Sequence, residues 1–318
     1  MLAASDGALI PNRVAGFLDL LRCPASGSGL RLEGETLASR TGRLRYRIDR
    51  GIPLFAEQCC SSEGRSQQAH YDAIAPAYTA NLEYPHTEAY GAALHAALLD
   101  IVDPSGLAAV AELCCGGGEA FDLLGAGIGR GVGVDVSPAM LRVAAARHAG
   151  QQYLFVQGDA TRLPLASDSF DSVFMLGGIH HINDRRRLFA EIARILRPGG
   201  RFYFREPVSD FWLWRALRRV VYRLSPLLDE ATEHPLRHEE TVTALAAAGL
   251  RPVQWRTVGF FGFCLFMNAD VLVFNRLFRF IPGIRAVARA AFRCDEALLA
   301  LPGLRNAGLQ VIGAAERA

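Results

Sequence analysis

The chain has no lysine; all of its 34 basic Lys/Arg positions are arginine. Against 32 acidic residues this leaves a formal net charge of +2, so no global field draws the protein to nucleic acid. The seven cysteines (Cys23, Cys59, Cys60, Cys114, Cys115, Cys264 and Cys294) form no Cys-x-x-Cys pair and are odd in number. That argues against a disulfide framework or a closed zinc site, and for a reducing, cytoplasmic setting. The N-terminus has no basic start followed by a long apolar stretch, so a signal peptide is not expected. The most apolar segment, residues 258–278, is interrupted by Asn268, Asp270 and Asn275 and does not read as a membrane span. What is present is ordinary for a globular protein: 318 residues, 51% hydrophobic and 21% charged, enough for one large domain or two smaller ones.

The pattern divides the chain into three parts, with no internal repeat. In residues 1–57, "LLRCPASGSGL", "GRLRYRIDR" and "GIPLF" predict short strands between Gly/Ser turns, and polar residues 58–67 predict a linker. From 68 to 207, strand-like runs alternate with helical patterns, the mark of a parallel α/β sheet. Strands are predicted at 108–113, 131–136, 153–159, 171–176 and 201–206, with helices starting near Glu119, at Pro138 and near Arg185. Ser137 is placed to cap a helix whose first turn accepts Pro138. Residues 208–318 are rich in arginine and aromatics, with helical candidates "FWLWRALRRVVYRL", "EETVTALAAAGL" and "ADVLVFNRLFRF" and a final strand in "LQVIGAAERA".

The stretch "VAELCCGGGEAFDLL" (110–124) sets glycines between a strand and a helix, where backbone N–H groups and a helix N-terminus can face a polar or anionic ligand. A Gly-x-Gly-x-x-Gly dinucleotide site would want small residues at 114, 116 and 119, which are Cys, Gly and Glu, a poor match. Asp135 closes the next strand about 20 residues on, where a carboxylate can accept from both ribose hydroxyls of NAD or of S-adenosylmethionine. No further Cys or His cluster lies near Cys114 and Cys115 in the sequence, so small-side-chain packing is the expected role of the pair.

The ordered set "ELCCGGG", "GVGVDVSPAML", "GDATRLPLASDSFD", "MLGGIHHI" and "LFAEIARILRPGGRFYFREP" resembles the class I S-adenosylmethionine-dependent methyltransferases, small-molecule branch, over about residues 68–207. The resemblance implies a Rossmann-like, mostly parallel seven-stranded sheet with a reversed last strand, flanked here by a small N-terminal β-rich module and helical lid insertions. It implies that Glu112, Cys114, Gly116 and Gly118 line the methionine end of the cofactor, that Asp135 holds the ribose and that Met140 packs beside the adenine. Asp159 then faces the adenine amino group, with Ala160 giving backbone contact. The family usually has glycine where Cys114 stands. Residues 20–55, through "LLRCP" and "YRIDRGIPLF", resemble the zinc-ribbon module related to the activator subunit of tRNA methyltransferases, with the usual four cysteines reduced to Cys23 and Ser26 in a partner position.

A sulfonium methyl is already activated, so the main task is to hold the acceptor in line with it. His180 and His181, after the fourth strand, and Glu206, at the end of the fifth, are the candidates for taking a proton from the acceptor. Trp212, Trp214, Leu217, Val220 and Val221 share a helical pattern with Arg215, Arg218, Arg219 and Arg223, suited either to a lid packed on the sheet or to peripheral contact with a membrane surface. The expected acceptor is an apolar small molecule or lipid-like metabolite. An RNA substrate and a cofactor-binding scaffold without methyl transfer are the competing readings.

Overall fold

The computed structural model describes residues 13–150, 152–217, 234–267 and 273–318. Four short strands, β1 (Leu30–Glu33), β2 (Thr36–Ser39), β3 (Arg45–Asp49) and β4 (Ile52–Pro53), form an antiparallel sheet in that order. Alternation sets this register: Tyr46 and Ile48 of β3 turn inward, while Arg45 and Arg47 stay exposed. The β3–β4 turn, Arg50-Gly51, has positive φ at both residues (48° and 81°), as a two-residue hairpin twisting with its strands requires. "LLRCPASGSGL" differs from expectation. Its Gly/Ser tail offers no large side chains to a pleat, and Gly27 turns back at φ 69° to donate to the Cys23 carbonyl, so strand begins only at Leu30.

Where the resemblance would place ligand-bearing turns, hydroxyl groups meet. Ser28 lies 3.0 Å from both Ser26 and Ser39, and Ser39 lies 2.6 Å from Thr41. The Cys23 thiol lies 3.0 Å from the Tyr46 hydroxyl instead. Among the described residues no group of three or more His, Cys, Asp or Glu side chains gathers for a metal.

Residues 62–67 of the expected linker are helical. Ser61 accepts from Gly64 N (2.9 Å) and so caps α1 (Ser62–Leu82), whose polar sequence covers an outward-facing helix rather than a loose connection. A second helix, α2 (Pro85–Leu99), follows. The main sheet then alternates with helices: β5 (Ala109–Leu113), α3 (Glu119–Leu124), β6 (Arg130–Asp135), α4 (Pro138–Arg147), β7 (Tyr153–Gln157), β8 (Phe170–Leu176), α5 (Arg185–Ile195) and β9 (Leu196–Pro207). Ser137 caps α4, accepting from Met140 N (3.2 Å), as the Ser-Pro junction predicts. The chain closes with α6 (His238–Ala247), β10 (Leu250–Val258), α7 (Phe261–Phe266), α8 (Ile284–Leu299) and β11 (Gln310–Arg317).

The seven strands lie in the order β10-β11-β9-β8-β5-β6-β7, and β11 runs antiparallel between β9 and β10. This is the Rossmann-like sheet with its reversed last strand. β5 and β7 are buried at every residue, because helices cover one face and the N-terminal module with α5 and α6 covers the other. The module is hydrogen-bonded to the segment after β7: Arg22 N donates to Pro164 O (2.9 Å), Ala166 N to Leu20 O (2.8 Å) and Phe55 N to Gln157 O (3.0 Å). Strand order reverses between β5 and β8, and open α/β sheets bind ligands outside the carboxyl ends of the strands at such a switch point.

The C-terminal expectations divide. Residues 212–217 are helical, while Arg218, Arg219, Val220, Val221 and Arg223 lie outside the described residues. Trp214 is 4% exposed and donates from Nε1 to Ala307 O (2.5 Å), whereas Trp212 is 65% exposed, so the two do not share a face. Residues 273–280 form a 3₁₀ rather than an α-helix. Among the described residues no helix is long and apolar enough to cross a membrane.

Candidate functional site

Between β5 and α3 the backbone turns left-handed repeatedly, at Cys114 (φ 50°), Gly116 (φ 48°) and Gly118 (φ 85°). Cys115 N donates to Val134 O (3.1 Å) and Gly118 N to Cys115 O (2.7 Å), which locks the coil against β6. An L-residue in this conformation costs about 1–2 kcal/mol, and Cys114 bears it where the family resembled has glycine. Room for its side chain comes from Gly178, where an added Cβ would lie 2.6 Å from the Cys114 Cβ. Burial, reinforced by the carboxylates of Asp135, Glu206, Asp159 and Glu112, pushes the Cys114 thiol well up, so it stays protonated and is a poor nucleophile. Replacing Cys114 by glycine is expected to raise stability by about 0.5–1 kcal/mol, the left-handed strain less the added chain entropy of glycine. Urea unfolding reads this; a lowered midpoint would show that the Cys114–Gly178 packing outweighs the strain.

Glu112 is placed differently from its expectation. It is 1% exposed beneath the coil, its Oε1 accepts from Ala120 N at the start of α3 (2.8 Å), and burial pushes its carboxyl well above the usual range. It shapes the loop from below and does not wall the cleft. Gly118 likewise acts through its backbone, since a Cβ there would lie 2.7 Å from His148 Nε2.

Asp135, at the end of β6, does wall the cleft. Its Oδ2 accepts from Gly116 N and its Oδ1 from Ser137 N, both at 2.9 Å, and each oxygen keeps a second lone pair. Burial raises its pKa, opposed by these same hydrogen bonds. Asp159 follows β7, with Oδ2 accepting from Ser61 N (2.8 Å) and Oδ1 from Thr161 N and Oγ1 (2.8 and 2.7 Å). Burial works to raise the Asp159 pKa, but the donors outweigh it and the carboxyl lies below its ordinary value. Met140, Val136, Ala160 and Ile182 supply apolar wall.

The three proton-transfer candidates separate. Glu206 is fully buried, accepting from Gly178 N (2.7 Å) and Ile179 N (2.8 Å) on Oε1, with Oε2 2.8 Å from His180 Nδ1. Both residues help hold the strap after β8, and neither lines the cleft, where their expected place as bases would put them. His181 does wall the cleft, its Nε2 3.0 Å from the Tyr71 hydroxyl and its ring edge-on to the tyrosine at 5.8 Å.

Sequence reading missed Tyr71. It belongs to one face of α1 with Gly64 and Gln67, continuing from the capping Ser61; these recur at helical spacing and all line the cleft. Asp72 tethers the same helix by accepting from Ser137 Oγ (2.6 Å) and Ala139 N (3.1 Å), and Glu63 does so by accepting from Asn183 N (3.1 Å). The helical spacing of those residues was the available clue, hidden by the polar composition of the segment. Among the described residues the wall over the cleft comes from α1, ahead of the main sheet, while residues 218–233 and 268–272 of the insertions expected to roof it lie outside the described residues.

The cleft is lined by α1 and by residues at the carboxyl ends of β5, β6, β7 and β8. Its donor set fits an adenosyl nucleoside. A buried carboxylate with spare lone pairs suits a ribose diol, the apolar wall around Met140 suits a purine face, and Cys114 and Gly116 of the coil line the cleft beside them.

Residues 111–204 match the model of the methyltransferase domain family. Demethylmenaquinone methyltransferase of Mycolicibacterium paratuberculosis is 34% identical over 143 residues, which are 40% of this chain and 60% of that one. The chain thus spans about 60% of the length of that curated relative. Among solved structures, a chain from the complex between the Haloferax volcanii Trm112 methyltransferase activator and a methyltransferase superposes with a TM-score of 0.52 at 23% identity, covering 77% of this chain and 96% of that chain. The [4+2]-cyclase SpnF superposes with a TM-score of 0.56 at 17% identity, covering 80% and 96%. At these identities the superpositions establish the shared fold.

Proposed function

We propose that this chain is an S-adenosylmethionine-dependent methyltransferase whose acceptor is an apolar, quinone-like or isoprenoid small molecule carrying an ionisable hydroxyl. The observation that carries the reading is the Asp135 carboxylate, set into the cleft beside the left-handed coil in a chain whose residues 111–204 match the methyltransferase domain. The similarity to demethylmenaquinone methyltransferase supports the acceptor class.

Bound S-adenosylmethionine supplies a methyl group already activated on a sulfonium sulfur. The residues of the chain bind and orient around it. Asp135 accepts from the ribose hydroxyls, Met140 and Val136 bracket the base, and Asp159 with Ala160 meets its polar edge. Cys114 and Gly116 flank the amino-acid tail, held in shape by Glu112 and Gly118 from below. α1 excludes water from above, pinned by Ser61 to Asp159 and by Asp72 to the start of α4. His181 and Tyr71 form the proton path: the imidazole Nε2 accepts from the tyrosine hydroxyl, which in turn accepts from the acceptor, while Glu206 and His180 fix the strap that carries His181.

The test combines calorimetry with transfer of labelled methyl from S-adenosylmethionine to demethylmenaquinone and to fractionated extract of the producing organism. His181→Ala is expected to lower kcat by about 10²–10⁴, the usual range for a lost general base, with cofactor affinity held within about threefold. Tyr71→Phe should lower it by about tenfold, since His181 can still act through water. Unchanged turnover in His181→Ala removes the proton path. Failure of the parent protein to bind either S-adenosylmethionine or its demethylated product removes the whole reading.

A further inference from the structure

The C-terminal part carries large apolar side chains that point into water. Trp212 is 65% exposed, Phe261 54%, Phe274 53%, Leu277 64%, Phe280 69% and Ile281 46%. They form neighbouring parts of one surface. The Phe261 ring lies 5.7 Å from Trp214 on the turn that carries Trp212. Asn275 Nδ2 donates to Leu265 O (3.0 Å), joining α7 to the 273–280 segment, and Phe278 packs at 5.9 Å from both Phe266 and Phe274. Isolated exposed leucines need no explanation, but a continuous aromatic and aliphatic face does.

This face is held up rather than left loose. Asp295 of α8 is 2% exposed and accepts from the Tyr90 hydroxyl (2.6 Å), Phe260 N (2.8 Å), Gly262 N (3.1 Å) and Phe263 N (3.2 Å), fixing the start of α7. The fully buried His86 sits against Phe266 and Phe278 from below. Side chains on such a platform cannot fold inward to hide their apolar area.

Charge around the face is mostly positive. Arg289 and Arg293 are exposed on α8, Arg285 beside them is paired with Glu88 of α2 (2.7 Å), and the Arg279 guanidinium lies over the Phe280 ring at 4.7 Å. Among the described residues of 259–309 the acids are Asp295, which is buried, and Glu296, which is paired with Arg256. A rigid apolar face edged by arginine suits the boundary of a lipid bilayer, where rings enter the acyl region and guanidinium groups reach the phosphates.

We propose that this face docks on anionic lipid bilayers. The claim stands apart from methyl transfer, because binding is read with neither cofactor nor acceptor present. Attraction to anionic lipid at each arginine should make the docking dependent on salt and on lipid charge.

The experiment is flotation of the full chain with vesicles of phosphatidylglycerol and phosphatidylcholine, and with phosphatidylcholine vesicles alone. The parent is expected to float with the anionic vesicles at low salt and to be released as salt rises. The pair Leu277→Ser and Phe280→Ser, and separately the pair Arg289→Gln and Arg293→Gln, should each lower the bound fraction by about tenfold. Circular dichroism melting confirms that both variants remain folded. Either of two results overturns the proposal: a parent that stays behind with both vesicle types, or variants that float like the parent. A parent that is dimeric in solution, is made monomeric by the Leu277/Phe280 pair and does not float assigns the face to a second copy instead.

Discussion

Asp135→Ala is expected to weaken S-adenosylmethionine binding by a factor of about 10²–10⁴. Hydrogen bonds to a charged group contribute about 1.5–3 kcal/mol each, and the carboxylate offers spare lone pairs on both oxygens to a ribose diol. The same change removes the acceptor for Gly116 N and Ser137 N, so the coil and the start of α4 both lose an anchor. Asp135→Asn separates these effects, since it keeps one acceptor oxygen but turns an NH₂ toward a backbone donor. It should therefore bind with intermediate affinity. The pH dependence carries a second signature. The raised pKa of Asp135 means that the folded state holds its proton to a higher pH than the unfolded chain does. This group's contribution to stability is accordingly full below its unfolded value and lost as pH rises through the folded one. Cofactor affinity, which needs the carboxylate, runs the other way and falls as pH drops through that same folded pKa. Calorimetry across acid pH with melting on the same samples should show the opposed trends, and affinity that is unchanged in Asp135→Ala would sink the ribose assignment.

The parts of this structure that were legible in the sequence are those governed by local rules. Ser137-Pro138 announces a helix start by capping chemistry, and the fully apolar runs around Val110 and Leu154 announce strands covered on both faces. The position of Asp135, one strand beyond a glycine-rich coil, follows from the same alternation. What stayed hidden depends on three-dimensional neighbours. His180 and His181 are adjacent in sequence, but residues 179–181 form a 3₁₀ turn that sends one ring nitrogen to Glu206 and the other ring to Tyr71. No spacing rule distinguishes two consecutive histidines. Residues 62–67 of α1 read as a linker because they are polar, and the helix's role depends on packing against Asp159 and Ser137, each more than 60 residues away in sequence. β10 escaped because it is an edge strand with a largely exposed, non-alternating pattern that includes Pro252. Trp214 and Trp212, two residues apart on one helix, were grouped by periodicity. The tertiary contact with Ala307 separates them.

Glu206→Ala is expected to destabilise the fold by about 3–5 kcal/mol, a large effect for one side chain outside the hydrophobic core proper. The carboxylate is wholly excluded from solvent and takes the N–H groups of Gly178 and Ile179 together with His180 Nδ1. Deleting it leaves those donors buried without acceptors, at about 1–3 kcal/mol for each group that water cannot reach. Gly178 has little room to shift toward the Cys114 side chain, since a Cβ there would lie 2.6 Å from the Cys114 Cβ. The strap must then move away from the sheet, and His181 moves with it, so turnover should fall even under conditions where the variant is folded. Glu206→Gln tests the positioning role more gently: one oxygen remains for the backbone donors, while the amide NH₂ faces either an N–H or the imidazole. Its expected signature is a reduced kcat with nearly unchanged cofactor affinity and an unfolding midpoint between those of the parent and Glu206→Ala. A Glu206→Ala protein with the parent's urea midpoint and kcat would mean that the strap is held by its own 3₁₀ turn, and the carboxylate would lose its place in the argument.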